Sequence, residues 1–289
     1  MIHTIKKSDV SKMLPRRDPN SHKGQNGRVL IIGGSIDYSG APILAGLGAL
    51  HSGCDLVYLL VPECNFDVSR SFYPDFIVRK YPGNYVNTRT IDAAAELLNK
   101  VDCVLLGPGV TEDPESLRIM TRIVQKTPCH IVLDAEAIPV IAQLGLISGS
   151  TMTEHPHRYT ITPNLAEMDE IIEAALPENP EEQAKMVEDF AKKWGITILL
   201  KRPHDVIAAP EKPTCINNTG NAGMTVGGSG DVLSGLVASL IAQKLMPYEA
   251  CQCAAYMLGS AGDELLKQKS YNYTATDLAQ ELPYAAKNI

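Results

Sequence analysis

Short, wholly apolar runs that end in glycine, proline or a charged residue restrict this chain to one fold class. They read RVLIIG (28–33), DLVYLLV (55–61), CVLL (103–106), IVLD (131–134) and ITILL (196–200). None alternates apolar with polar, so each is expected to be a strand buried on both faces. Helical spacing fills the intervals: Ile43, Leu44, Leu47 and Leu50 on one face after residue 41, then Ile91, Ala94, Ala95 and Leu98 within 90–100. Further helices are expected at 114–126, 139–144, 164–175, 180–194, 230–243, 247–269 and 275–287. A short strand is expected at 76–79, and an antiparallel hairpin at 206–209 and 214–217. Residues 1–27 read as a lead-in loop. This alternation predicts an α/β fold with a mainly parallel central sheet and helices on both faces. With no linker or shift in composition, one domain over 1–289 is expected. In such sheets ligands bind beyond the carboxyl ends of the strands. The loops there are 33–40, 107–109, 134–136, 163–167 and 201–205.

The stretch 220–235, GNAGMTVGGSGDVLSG, places six glycines around one acid, Asp231. An apolar helical run (Val232, Leu233, Leu236, Val237, Leu240 and Ile241) follows at once. Glycine admits positive φ and close approach of a ligand. A helix start offers unpaired N–H groups and partial positive charge, which together hold an anion. Gly227, Gly228, Ser229 and Gly230 are therefore the expected anion hole. Asp231 is the expected base for a hydroxyl attacking phosphorus. The bland account is an ordinary helix start, with Ser229 as N-cap and Asp231 complementing the dipole. Crowding of Gly223, Gly227, Gly228 and Gly230 costs backbone entropy, which favours the ligand account.

The formal net charge of −7 and the lack of a basic block argue against a nucleic-acid surface. No apolar run approaches the roughly 20 residues of a membrane span. The polar start, MIHTIKKSDVSKMLPRRD, has no signal-peptide core. Seven cysteines, an odd number without a CxxC, point to a reducing compartment. Cys54, Cys103 and Cys129 lie in apolar runs as buried thiols do, and Cys251 and Cys253 face different ways on a helix. A cytoplasmic protein without a thiolate metal site is expected.

Lys201 follows an apolar strand in LLKRPHD, where it either sits over a nucleotide phosphate or reaches solvent. Glu167, in TPNLAE with Asn164, either reaches Mg²⁺ through water or serves a helix start. Asp134 either orients a metal or caps a helix. His155 and His157 flank a proline and lack a third ligand nearby in sequence, so no metal site is expected there. No GxxxxGK[ST] and no GxGxxG opening a helix occurs, which excludes a P-loop and an ordinary dinucleotide fingerprint. No GxSxG elbow occurs either.

With these residues in view, the chain resembles the ADP/ATP-dependent NAD(P)H-hydrate dehydratases of the ribokinase-like superfamily, from about His22 onward. The segments that carry the likeness are HKGQNGRVLIIGGS, SGAPILAGLGALHSGCDLV, LLGPGV, VLDAEAI, ITPNLAEM, LLKRPHDVIAA, GNAGMTVGGSGDVLSG and YTATDLAQELP. Members repair nicotinamide cofactors hydrated at the reduced ring. A nucleotide phosphorylates the ring hydroxyl, and loss of phosphate restores the double bond. The resemblance implies Asp231 as base and the amides of residues 227–230 on the transferring phosphoryl. It implies Ala41, Gly107, Gly109, Asn164 and Asp231 around the hydrate. Lys201, Arg202, Pro203, His204, Asp205 and Gly230 would contact the nucleotide. ADP, or else ATP, would be co-substrate with Mg²⁺, and the assembly a homotetramer.

This chain departs from the family pattern twice. Thr162-Pro163-Asn164 stands where TPH is usual, and asparagine donates and accepts hydrogen bonds but does not titrate. Asn221-Ala222-Gly223-Met224-Thr225 stands where NPGMA is usual. A kinase of a small alcohol, such as a thiazole or pyrimidine precursor, shares Asp231 and the anion hole and is the alternative. A non-catalytic nucleotide-binding protein would not need Asp231.

Overall fold

The structure, a computed structural model, describes residues 2–145 and 158–289. His155 and His157 lie outside the described residues. Ten strands form one sheet: β1 His3–Thr4, β2 Arg28–Ile32, β3 Leu56–Pro62, β4 Phe76–Tyr81, β5 Cys103–Leu106, β6 His130–Leu133, β7 Tyr159–Ile161, β8 Thr197–Leu200, β9 Asp205–Ala208 and β10 Cys215–Asn217. The helices are α1 Lys7–Met13, α2 Ala41–His51, α3 Glu63–Phe72, α4 Thr88–Leu98, α5 Pro114–Lys126, α6 Val140–Gln143, α7 Leu165–Ile172, α8 Pro180–Trp194, α9 Ser229–Ala242, α10 Pro247–Lys269 and α11 Ala275–Lys287.

The sheet order is β1-β10-β9-β8-β7-β6-β5-β2-β3-β4. Only the β8–β9 and β9–β10 pairings are antiparallel. Successive side chains of a strand point to opposite faces, and here both faces are covered. Val29 and Ile31 of β2 pack with α2, α9, α10 and α11, whereas Leu30 and Ile32 pack with residues of α4 and α5. This double burial is why the strands read as unbroken apolar runs.

The expected α/β architecture is present, as is the hairpin at β9 and β10. Four elements differ from the sequence reading. The lead-in contains β1, paired in parallel with β10, and α1. α3 was not expected: its sequence ECNFDVSRSF buries only Asn65 and Ser69, so it lacks an apolar stripe. Tyr159–Ile161 form β7 between β6 and β8, a strand that the sequence reading does not include. Cys54 and Cys103 are buried as expected, whereas Cys129 is only half-buried.

α2 and α9 pack side by side and point the same way. At one end the position of a Cβ on Gly228 would meet Leu44. In the middle, Gly48 meets Val232, and at the other end Ser52 Oγ donates to Ser239 Oγ. Their amino ends therefore lie together at the carboxyl edge of the sheet. Main chain rests on main chain: a Cβ on Gly235 would lie 1.9 Å from the Ala45 carbonyl oxygen, and one on Gly48 would lie 2.3 Å from that of Val232. Neither oxygen belongs to a side chain that can swing aside.

Gly235→Ala is predicted to destabilise the protein by about 3 kcal/mol through overpacking. Gly227→Ala, whose added Cβ meets nothing within 4 Å, should cost less than about 1 kcal/mol. Urea unfolding of the two variants checks this, and equal losses would contradict the packing account.

Candidate active site

α9 opens on Gly228, whose φ of +93° puts it in the left-handed region that glycine tolerates. Ser229 occupies the first helical position rather than the N-cap, and its Oγ donates to the Met224 carbonyl at 2.7 Å. That bond ties the glycine turn to the short helical turn Ala222–Thr225. No side chain caps the helix. Among the described residues, the main-chain N–H groups of Gly227, Gly228, Gly230 and Asp231 have no protein acceptor, while those of Ser229 and Val232 reach Val226 and Gly228. Several orphan donors at a helix start, with its positive end of the dipole, make a site for an anion.

Beside this turn opens a cavity of about 600 Å³. Ser229 and Gly230 form part of its wall, with Lys201 and Arg202 on the polar side and Leu233, Ala255 and Leu258 on the apolar side. A charged end and an apolar wall suit a nucleotide's phosphates and base. All the residues expected at the nucleotide, Lys201, Arg202, Pro203, His204, Asp205 and Gly230, line this one cavity. The Asp205 carboxylate is occupied in closing its own loop. It accepts from the Arg202 N–H at 3.0 Å and from Asn217 Nδ2 at 3.1 Å. Burial pushes its pKa up to about 6 against the pull of those two donors. The Arg202 guanidinium is held by Gln183 Oε1 of α8.

Lys201 is the pivot. Its Nζ donates to Asp134 Oδ1 at 2.8 Å and stands 3.6 Å from Glu167 Oε2. The Cβ position of Gly230 lies 3.4 Å from the same nitrogen. Burial lowers the lysine pKa, but Asp134 and Glu167 outweigh it, so the ammonium stays charged. Asp134 is buried and also accepts from Thr162 Oγ1 at 2.8 Å. It makes no side-chain cap to the turn that follows, so of the two roles expected for it, capping is excluded. Its importance was not legible because its partners lie 28 and 67 residues away.

Asn164 is the N-cap of α7. Its Oδ1 accepts from the Glu167 N–H at 2.9 Å, and Glu167 Oε2 accepts from the Asn164 N–H at 2.7 Å. The helix-start role weighed for Glu167 is thus present, with the Lys201 contact added to it. Asn164 lines the cavity with Lys201, whereas the resemblance had placed it at the hydrate.

The small residues expected at the hydrate lie close to one another and to Asp134. A Cβ on Gly109 would be 3.0 Å from Ala41 Cβ, and one on Gly107 would be 1.9 Å from the Asp134 carbonyl oxygen. Ala41, Gly109, Gly107, Asp134, Lys201 and Gly230 therefore form a continuous arc from the start of α2 to the start of α9. Asp231 follows Gly230, about 100° further round the helix. Its pKa is pushed up to about 7, first by burial and then by the Asp134 charge, with Lys201 opposing and Glu167 adding. A carboxylate near neutrality beside an anion hole is suited to general-base chemistry.

Residues 29–284 match the family described as NAD(P)H-hydrate dehydratase. An ADP-dependent (S)-NAD(P)H-hydrate dehydratase of Cenarchaeum symbiosum is 38% identical over 288 residues, covering 98% of this chain and 96% of that protein. A bifunctional NAD(P)H-hydrate repair enzyme of Methanothermobacter thermautotrophicus is 36% identical over 93% of this chain, which spans 51% of that relative. The crystal structure of the ADP/ATP-dependent NAD(P)H-hydrate dehydratase from Bacillus subtilis, co-crystallised with ATP and Mg²⁺, superposes with a TM-score of 0.82. It is 26% identical and covers 99% of this chain and 98% of that one.

The raised pKa of Asp231 has a consequence for stability. The fold favours the neutral acid, so its contribution is full below the unfolded range near pH ~4 and is lost as pH rises through about 7. Asp231→Asn should be more stable than the parent by about 2 kcal/mol near pH 8 and no more stable near pH 4. Urea unfolding at the two pH values checks this; the same difference at both would contradict it.

Proposed function

The chain belongs to the NAD(P)H-hydrate dehydratase family, and we propose that it restores hydrated NADH and NADPH with ADP, or else ATP, as phosphoryl donor. The observation that carries the reading is the near-neutral Asp231 beside the unpaired amides at the start of α9. In the first step the ring hydroxyl attacks the terminal phosphorus and Asp231 takes its proton. The new O–P bond forms as the bond to the nucleotide breaks, releasing AMP from ADP. In the second step the C–O bond breaks, a proton leaves the neighbouring carbon, and phosphate departs as the double bond returns. The unpaired N–H groups of Gly227, Gly228 and Gly230 would bear the charge of the transferring phosphoryl, and such electrostatic positioning is most of what phosphoryl transfer requires.

Lys201 holds positive charge at Gly230, where the donor's phosphates enter. The loop 201–205 presents the nucleotide side. Ala41 and Gly109 would face the hydrate, while Gly107 is kept small by the Asp134 carbonyl oxygen, which lies 1.9 Å from where its Cβ would stand. Among the described residues no three His, Cys, Asp or Glu side chains converge to hold a metal. That fits Mg²⁺, which keeps waters and is held mainly by substrate phosphates. Glu167 would be the acid that meets it through water, and the ion would neutralise charge on the donor.

Further parts of the same reading are a single domain over 1–289, a cytoplasmic location and a homotetramer. No helix among the described residues is long and apolar enough to cross a membrane. The family resemblance supports the tetramer, which sedimentation analysis would test.

Hydrated NADH mixed with the protein, ADP and Mg²⁺ is predicted to regain the absorbance of NADH. Asp231→Asn should lower the rate about 10³-fold. For the parent, kcat/KM should rise with pH through about 7 and then level off, as the base loses its proton. No recovery of NADH with either nucleotide, or phosphorylation of small alcohols to stable products instead, would contradict the reading.

A further inference from the structure

The loop after β2 displays an aromatic ring on an unusually well-held backbone. Tyr38 is 59% exposed. Its N–H donates to the Ser35 carbonyl at 3.3 Å and to Ser35 Oγ at 3.2 Å. Its own carbonyl accepts from the Ser35 N–H at 3.2 Å and from Asn65 Nδ2 at 3.4 Å. Asn65 Nδ2 also donates to the Ser35 carbonyl at 2.9 Å. Ser35 and Asn65 are both buried. Two buried polar residues are thus committed to the shape of a loop whose tyrosine side chain points to solvent. Buried polar networks are costly unless satisfied, and satisfied ones rigidify what they hold.

The position of that ring relates it to the site. The Cβ position of Gly109 lies 3.0 Å from the Tyr38 carbonyl oxygen, 3.1 Å from Tyr38 Cβ and 3.0 Å from Ala41 Cβ. Gly109 has φ of +70°, so both conformation and space exclude a side chain there. Tyr38 therefore stands directly against Gly109, which itself abuts Ala41, the two small residues expected at the hydrate. Ile36 on the same loop is also exposed, and its N–H bonds the Asn84 carbonyl, next to exposed Tyr85. Ile36, Tyr38 and Tyr85 thus expose three large side chains on neighbouring segments, with exposed Asp37 between the first two.

We propose that Tyr38 is a specificity-determining residue that packs its ring against the nicotinamide–ribose end of the hydrated dinucleotide, contributing to binding and not to the chemical step. The inference rests on the dehydratase reading for the identity of the ligand. A side chain carried on a held backbone loses less freedom on contact than one on a mobile loop. Ring stacking of this kind is worth about tenfold in affinity per contact, judged from alanine substitutions in other stacked sites.

Steady-state kinetics of the full chain with saturating ADP and varied hydrated NADH test it, alongside calorimetric titration with NADH as probe. Tyr38→Ala should raise KM for the hydrate about tenfold and weaken NADH binding to a similar degree. kcat, KM for ADP and the melting temperature should stay as in the parent. Tyr38→Phe should behave as the parent, as should Tyr284→Ala, which removes an exposed tyrosine from α11. The inference is overturned if Tyr38→Ala changes KM and NADH binding by less than twofold. It is also overturned if Tyr38→Phe is equally impaired, or if the variant instead alters the sedimentation coefficient with binding intact. A parent that binds NADH through Tyr38 yet never turns over the hydrate would uphold the contact and remove the reaction. A parent that neither binds NADH nor turns over the hydrate would remove both.

Discussion

The site exists because two parallel helices touch through their main chains. Gly48 and Gly235 let α2 and α9 approach until a carbonyl oxygen occupies the place of a side chain. Any Cβ at either position would push the helices apart. Their amino ends would then separate, and with them the small residues near Ala41 and the amides near Gly228. The positive ends of both helix dipoles meet at the same edge of the sheet, so the field there favours negative charge before any ligand arrives.

Onto that geometry the side chains add an uneven set of charges. One ammonium, that of Lys201, faces Asp134, Glu167 and Asp231. Asp134 takes the short contact and holds the lysine by a buried bond backed by Thr162. Asp231 is left with burial and two like charges, opposed by a lysine already engaged elsewhere. The fold therefore favours the protonated form of Asp231, and holding it ionised at neutral pH is done at a cost to stability.

The sequence carried the architecture well because doubly buried strands must be apolar throughout, and RVLIIG or CVLL admits few other readings. The glycine run and Asp231 were equally legible, since a string of glycines before a helix has few structural uses. α3 stayed hidden because it packs through Asn65 and Ser69 rather than an apolar stripe. The role of Asp134 stayed hidden for a different reason: its partners, Thr162 and Lys201, sit on other strand ends and meet it only after the sheet forms. Asn164 was seen as a ligand contact, whereas the structure shows it first as a helix cap that also faces the cavity. Local pattern reports what a residue does for its own element. It does not report which loops the topology brings to one edge.

The central claim is that the terminal phosphoryl of the donor rests on the unpaired main-chain amides of Gly227, Gly228, Gly230 and Asp231, with the Asp231 carboxylate at the acceptor side. A crystal structure of the protein with a non-hydrolysable ADP analogue, Mg²⁺ and NADH tests it most directly. The account predicts terminal phosphate oxygens within hydrogen-bond distance of those N–H groups and the nicotinamide ring beside the Asp231 carboxylate. A terminal phosphate bound elsewhere in the cavity, or a nicotinamide ring separated from Asp231 by packed protein, would contradict it.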